Sequence, residues 1–217
     1  MPKLLTSNAK IDKSMKLFPE YEATILQMLP GKDVCVNYKG CIKTCLAFTG
    51  FAKIFPSVNK SRQAKKDLYV NQKSVFMKQL VKEIALQEKR AYKKGKKAVI
   101  RLNGFTDIDW EKQEFDYTGR NIFNSFPNVQ FYDYTADANK VLNNQHTNYH
   151  LTFSHKSGKD SDNSIECMSL FQDGINIAVV DNPANREKFG TISIDGDKSD
   201  FRFLDKKGSI VWLSFKE

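Results

Sequence analysis

Long apolar runs are missing from this chain: stretches such as Ile175 to Val180 last only a few residues, and that one is interrupted by Asn176. A membrane-crossing helix needs about 20 consecutive apolar residues, so none fits. The opening residues, MPKLLTSNAK, are basic but lack the apolar core of a secretory signal. A cytoplasmic, reducing compartment is therefore the expected setting. The glycine-rich phosphate cradles G-x-x-x-x-G-K-S/T and G-x-G-x-x-G are absent as well, which argues against nucleotide hydrolysis and dinucleotide binding. Ser154 has no G-x-S-x-G around it, so a hydrolase elbow is unsupported. No internal repeat or low-complexity tract interrupts the chain.

What is present suffices for a real core: 217 residues, 41% of them hydrophobic and 16 of them Phe. The expectation is a single α/β domain over 1–217, with 1–20 a loosely ordered extension. Charge is unevenly spread. Residues 1–97 carry a net +14 and the remainder a net −5. A basic segment of this kind attracts phosphate polymers by counterion release and long-range steering, which makes nucleic acid a candidate partner and a membrane none. Lys far outnumbers Arg, however, and lysine-rich helix faces also serve as plain solvated surface.

Tyr21 to Leu29 reads as a strand, or a helix of similar length, closed by Pro30 and Gly31. Pro56 is expected to break any helix in the segment that follows the cysteines. From Asn71 to Tyr92, Phe76, Leu80, Val81 and Ile84 recur at spacings of three and four with lysines between them, a helix closed by Lys93, Lys94 and Gly95. After it come short apolar strands at 98–103, 129–135, 148–154, 175–180, 191–195 and 209–215. Connections at 121–126, 136–143 and 164–173 are long enough for crossover helices. Strands rich in Val, Ile, Phe and Tyr and separated by helices predict a mainly parallel sheet in a partial (β/α) barrel. Gly196 and Gly208 predict that the last strands form a short antiparallel C-terminal appendage.

Parallel α/β sheets bind ligands beyond the carboxyl ends of their strands. The polar residues expected there are Asn103, Gly104, Asp107, Asp133, Tyr134, Ser154, His155 and Asp181, together with the cysteine segment. Cys35, Cys41 and Cys45 form C-x5-C-x3-C. Clustered thiols in a reducing compartment point to metal or redox chemistry. Zinc favours C-x2-C knuckles, a spacing missing here, and stands as the alternative metal, with Cys167 as a conceivable fourth ligand. A 4Fe-4S cluster held by three thiolates leaves one iron open, and soft sulfur donors suit it. Free Cys also buries readily as a small hydrophobe.

The stretch CVNYKGCIKTCLAFTGFAKIFPSV resembles the cysteine-rich opening of the phage gene product 88 family, with Cys35, Cys41, Cys45, Ala47, Gly50, Phe55 and Val58 in the matching places. The stretch IDGDKSDFRFLDKKGSIVWL resembles the family's C-terminal Gly-Asp-rich turn and aromatic strand, with Asp195, Gly196, Asp197, Asp200, Arg202 and Asp205 in register. RLNGFTDI, FYDYT and LTFS resemble its internal blocks, so the resemblance spans most of residues 30–215. It implies a phage or mobile-element origin and the cytoplasm of an infected bacterial host, and brings no established activity. A more distant likeness is to radical S-adenosylmethionine enzymes, partial (β/α) barrels whose cluster loop follows the first strand. That likeness implies a 4Fe-4S cluster on Cys35, Cys41 and Cys45. It also implies S-adenosylmethionine against Asn103, Gly104 and Thr106 at the second strand's end and Ser154 at the fourth. The usual loop in that superfamily is C-x3-C-x2-C, and this one is wider at both intervals.

Asp195, Asp197 and Asp200 are candidates for a hard cation, as in magnesium-dependent nucleases, although Asp and Gly also build tight turns without metal. Asp200 and Arg202, two apart on an expected strand, would share a face and pair or bind an anionic substrate. His146, His150 and His155 are spaced too irregularly for a metal triad, and His155 remains a candidate acid or base. Two functions are thus expected in competition: an iron-sulfur protein of radical S-adenosylmethionine-like architecture, or a non-enzymatic nucleic-acid-binding accessory protein whose cysteines are structural or bind zinc.

Overall fold

The computed structural model describes residues 1–35, 38, 42, 45–48, 55–114, 119–156, 162–189 and 193–214. The strands are β1 (Leu5–Thr6), β2 (Tyr21–Leu26), β3 (Lys97–Arg101), β4 (Gln130–Thr135), β5 (Tyr149–Ser154), β6 (Ile177–Val180), β7 (Ser193–Asp195) and β8 (Ile210–Leu213). The helices are α1 (Ala9–Leu17), α2 (Pro56–Asn71), α3 (Lys73–Lys93), α4 (Ile122–Ser125), α5 (Ala138–Asn143), α6 (Ser164–Gln172) and α7 (Pro183–Phe189). The described residues form an eight-stranded sheet in the order β1-β2-β3-β4-β5-β6-β8-β7. Only β1 on β2 is antiparallel; the other pairs are parallel.

Alternation along the strands sorts residues to two faces. Ala98, Ile100, Phe131, Tyr149, Leu151, Phe153, Ile177 and Val179 pack in one large cluster with residues of α2 through α7, including Leu68, Phe76, Phe123, Val141, Leu170 and Phe189. The opposite face carries Ala23, Ile25, Val99 and Tyr132, covered by Ile11 of α1 and by Phe201. Helices thus lie on one side, while α1 and the 196–209 connection close the other. At roughly 25 cal/mol per Å² of apolar surface, burial on both faces is the main source of stability.

Phe76, Leu80 and Ile84 are buried as their spacing requires. Gly95, at φ 65°, follows α3, a left-handed backbone that Gly adopts without strain. Four expectations need correction. Pro56 does not break a helix but opens α2, since a first-turn residue needs no N–H partner and its fixed φ suits that position. The segment 1–20 is no loose extension: Leu4, Leu5 and Ile11 are buried, and Asn8 caps α1 by accepting from the N–H groups of Lys10 and Ile11. The C-terminal strands do not form an antiparallel appendage. β7 and β8 are joined by residues 196–209, long enough to cross the sheet face and return, so β8 inserts between β6 and β7 with parallel register on both sides. Finally, Asp200 and Arg202 are not on a strand, since Arg202–Leu204 is a 3-10 turn within that connection.

The amino-terminal strand is held by side chains rather than by length. Leu4 N and Leu5 N donate to the Glu83 carboxylate, Gln79 Nε2 donates to Pro2 O at 2.7 Å, and buried Lys65 donates to Leu4 O at 3.0 Å. Burial lowers the Lys65 pKa to about 8.

Candidate functional site

Beyond β2 the chain runs through buried Met28 and Val34 to Cys35, which makes a parallel bridge with Asp107 in the loop after β3. Asp107 N donates to Val34 O at 2.9 Å. The half-buried Cys35 thiol lies 3.9 Å from Phe105 O. Half-buried Cys45 precedes the 3-10 turn Leu46–Phe48, with Phe48 N donating to Cys45 O. Arg62 on α2 ties this turn to the same place: its Nη1 donates to Ala47 O at 2.9 Å and its guanidinium sits 4.3 Å over the Phe105 ring. Burial lowers the Arg62 pKa, and the sulfur of Cys45 draws it back up. Cys35 thus lies against Phe105 directly, and the Cys45 segment is tied to Phe105 through Arg62, near the carboxyl ends of β2 and β3. Cys41 lies outside the described residues. Among the described residues no three His, Cys, Asp or Glu side chains are grouped to hold a metal. Cys167 is a core residue of α6, fully buried, its thiol bonded to Asn163 and its pKa pushed up to about 12 by burial.

The loop carrying Phe105 is fixed by the polar residues expected to line a pocket. Asn103 Oδ1 accepts from Thr106 Oγ1, Ile108 N and Trp110 Nε1 at 2.9–3.1 Å. Asp133, fully buried, accepts from Asn103 N at 2.6 Å, from Asn103 Nδ2 and from Tyr149 Oη. Burial pushes its pKa up to about 7 against the pull of these donors. Gly104 lets the loop pass β2, because a Cβ there would meet Leu26 O at 2.7 Å. Asp107 accepts from Thr135 Oγ1, Ala136 N and, at 2.6 Å, Lys140 Nζ. Asn103, Thr106, Asp107 and Asp133 are thus engaged within the protein and act as the frame of the cysteine loop.

The other expected residues fall in separate places. His155 pairs Nε2 with Ser164 Oγ at 3.0 Å and packs on Phe189, and burial lowers its pKa. Ser154, half-buried, accepts from Lys156 Nζ at 3.0 Å. Asp195 and Asp197 line a cleft of about 530 Å³ with Asp181, Arg186, Ser193, Trp212 and Ser214, at the carboxyl ends of β6, β7 and β8. Asp200 points elsewhere, so the expected aspartate trio is not assembled. Buried Asp200 accepts from Arg101 Nη1 at 3.1 Å and Tyr132 Oη at 2.7 Å, with Lys10 at 3.6 Å, while its N–H donates to Ser14. Burial alone would raise its pKa; Arg101 and Lys10 outweigh that and hold it low. Arg202 pairs not with Asp200 but with Asp205 at 3.1 Å. Tyr134 lies on the same inner face with the Arg101 guanidinium 4.7 Å over its ring.

Sequence reasoning missed Arg62, Arg101, Lys10 and Lys140. Arg101 had a local signal, a charge ending the apolar AVIRL run. The others reach their partners across the fold. A family model described as Gene product 88 matches residues 2–217. No curated protein and no solved structure matches the chain.

Proposed function

The chain belongs to the gene product 88 family, and from that premise we propose that it is an iron-sulfur protein of partial-barrel, radical S-adenosylmethionine-like architecture. Cys35, Cys41 and Cys45 are its 4Fe-4S ligands. The observation behind this reading is the meeting of the Cys35 and Cys45 segments at Phe105 and Arg62, beyond the carboxyl ends of β2 and β3. The donor chemistry fits, because Cys35 and Cys45 are both half-buried thiols, soft donors of the kind that bind iron, and the Arg62 guanidinium interacts with Cys45. A three-thiolate cluster leaves one iron for an exchangeable ligand, for which S-adenosylmethionine is the candidate. The chain's own residues have the remaining roles. Arg62 would offset thiolate charge at Cys45, and the Asn103–Asp133 network holds the loop that carries Phe105. The sequential parallel order of β2 through β6, with α2 to α7 on one face, supports the partial-barrel reading.

Anaerobic purification and reconstitution, followed by absorbance, iron and acid-labile sulfide analysis, test the proposal. A brown protein is expected, losing iron and sulfide in Cys35→Ala and Cys45→Ala but not in Cys167→Ala. A colourless wild type after reconstitution overturns it, and zinc bound by the same thiols selects the zinc alternative.

A second reading, binding to nucleic acid, is favoured by the outward side of α3. Exposed Lys78, Lys82, Lys89 and Lys93 fall within a sector of about 60° at 3.6 residues per turn. Glu83 and Glu88 lie outside that sector. Such a stripe suits a phosphate backbone. If it is used, Lys82→Ala with Lys89→Ala lowers the slope of log K against log salt for duplex DNA by about 2. An unchanged slope removes this reading.

A further inference from the structure

The inner face of the sheet holds a second polar centre, which touches the cysteine-site loop through Arg101 Nη2 donating to Gly104 O at 3.5 Å. Lys10, Arg101 and Arg202 supply three cations there, and Asp200 and Asp205 two carboxylates. Asp200 is saturated by Arg101, Lys10, Tyr132 and Ser14. Around Arg202 the pairing is incomplete. Its side chain is 1% exposed; Nη2 donates to Ser199 O at 2.7 Å, and Nη1 touches Asp205 Oδ2 at 3.1 Å but out of line for a hydrogen bond. Its Nε, the Arg101 Nε and the Tyr134 hydroxyl are all buried and find no hydrogen-bond partner among the described residues.

Buried donors left unpaired are destabilising, and surplus positive charge held largely away from water adds to that. One monoanion offering oxygen acceptors would neutralise the surplus and satisfy these donors together. The 3-10 turn that carries Arg202 packs on β4 and β5, the strands of Tyr134 and His150. Register sets Tyr132 beside His150 and Tyr134 beside Thr152. Tyr134 and Ser154, near the carboxyl ends of β4 and β5, and His150, at the amino end of β5, are only half-buried, so the inner face borders solvent along these two strands.

We propose that this inner face is a binding site for an oxyanion, a phosphate or carboxylate group, received by the guanidinium of Arg202 and the hydroxyl of Tyr134 beside Arg101. Planar guanidinium N–H groups and a phenol O–H are donors matched to such oxygens, and a parallel sheet presents them at its ligand-binding end. The site is independent of any cluster, so it stands or falls separately from the iron-sulfur reading.

The test is calorimetric titration of the full chain, with and without bound iron, using inorganic phosphate and acetate separately. Ionic strength is held constant with chloride. Saturable binding of one of the two is expected, and which one binds identifies the group. Tyr134→Phe removes a hydroxyl that bonds to nothing described, so the fold is retained, and binding weakens by about tenfold or more. Arg202→Lys keeps the charge but loses the planar donors and weakens binding at least as much. Thermal unfolding of both variants without anion confirms that they are folded. No saturable binding by either anion, or wild-type affinity in Tyr134→Phe and Arg202→Lys, overturns the proposal.

Discussion

Asp133→Ala is expected to lower unfolding free energy by about 3–5 kcal/mol at pH 5, read from urea unfolding, because it strands three buried donors and leaves a void. Those donors are Asn103 N, Asn103 Nδ2 and Tyr149 Oη. The loss should shrink at alkaline pH. With the folded pKa raised to about 7 from an ordinary value of 3.8, the native state binds the proton more tightly than the unfolded chain. Stability from this group is full below the unfolded pKa and is lost as pH rises through about 7, by on the order of 4 kcal/mol. His150 acts oppositely. Burial lowers its pKa to about 4, so its contribution is full above the ordinary value of 6.5 and is lost as pH falls. The wild-type profile therefore mixes two opposed slopes. Asp133→Asn isolates one of them, since the amide mimics the protonated acid. The variant should gain on wild type from about pH 5 and level off above about pH 7. A constant difference across that range would show that Asp133 is ionised throughout.

Asp200→Ala is expected to be as severe, about 3–5 kcal/mol, because it removes a fully buried carboxylate and leaves the partly buried Arg101 and Lys10 without their shared partner. It also releases the Tyr132 hydroxyl. Removing Arg101 as well should return part of the loss: Asp200→Ala with Arg101→Met is predicted to cost less than the sum of the single changes. A double-mutant cycle measures that coupling directly. Strict additivity would mean that the pair contributes no interaction of its own. Because the Asp200 backbone N–H donates to Ser14 on α1, the damage should extend to the cover of the inner face. Faster amide exchange in 9–17 and 196–209 would report this.

Elements with a strong period were readable from the sequence, and those defined by distant partners were not. The α3 stripe and the β3, β4, β5 and β6 strands stand near their expected places because apolar residues alternate or recur there regardless of context. The C-terminal pairing was misread because Gly196 and Gly208 look like hairpin punctuation. The residues between them instead bury Phe201 and Arg202 on the sheet, a long-range outcome without local signature. Pro56 was misread for a positional reason, since proline breaks a helix only from inside it. Of the site, the polar strand ends were visible as residues but not as roles. Asn103, Asp107 and Asp133 look the same in sequence whether they face a ligand or one another. Arg62 and Lys140 stand in helices far along the chain from Cys45 and Asp107, and only the fold brings them together.

The clasp on β1 has a consequence for the order of events during synthesis. Leu4 and Leu5 leave the ribosome well before Lys65, Gln79 and Glu83, the side chains that grip the start of the chain. Until α3 has emerged, the leading segment has only its two-residue pairing with β2 to hold it, and that edge of β2 is weakly covered, open to pairing with a strand from another nascent chain. Closure of that edge is thereby made one of the later steps of folding, coupled to completion of the longest helix rather than to the appearance of the strand itself.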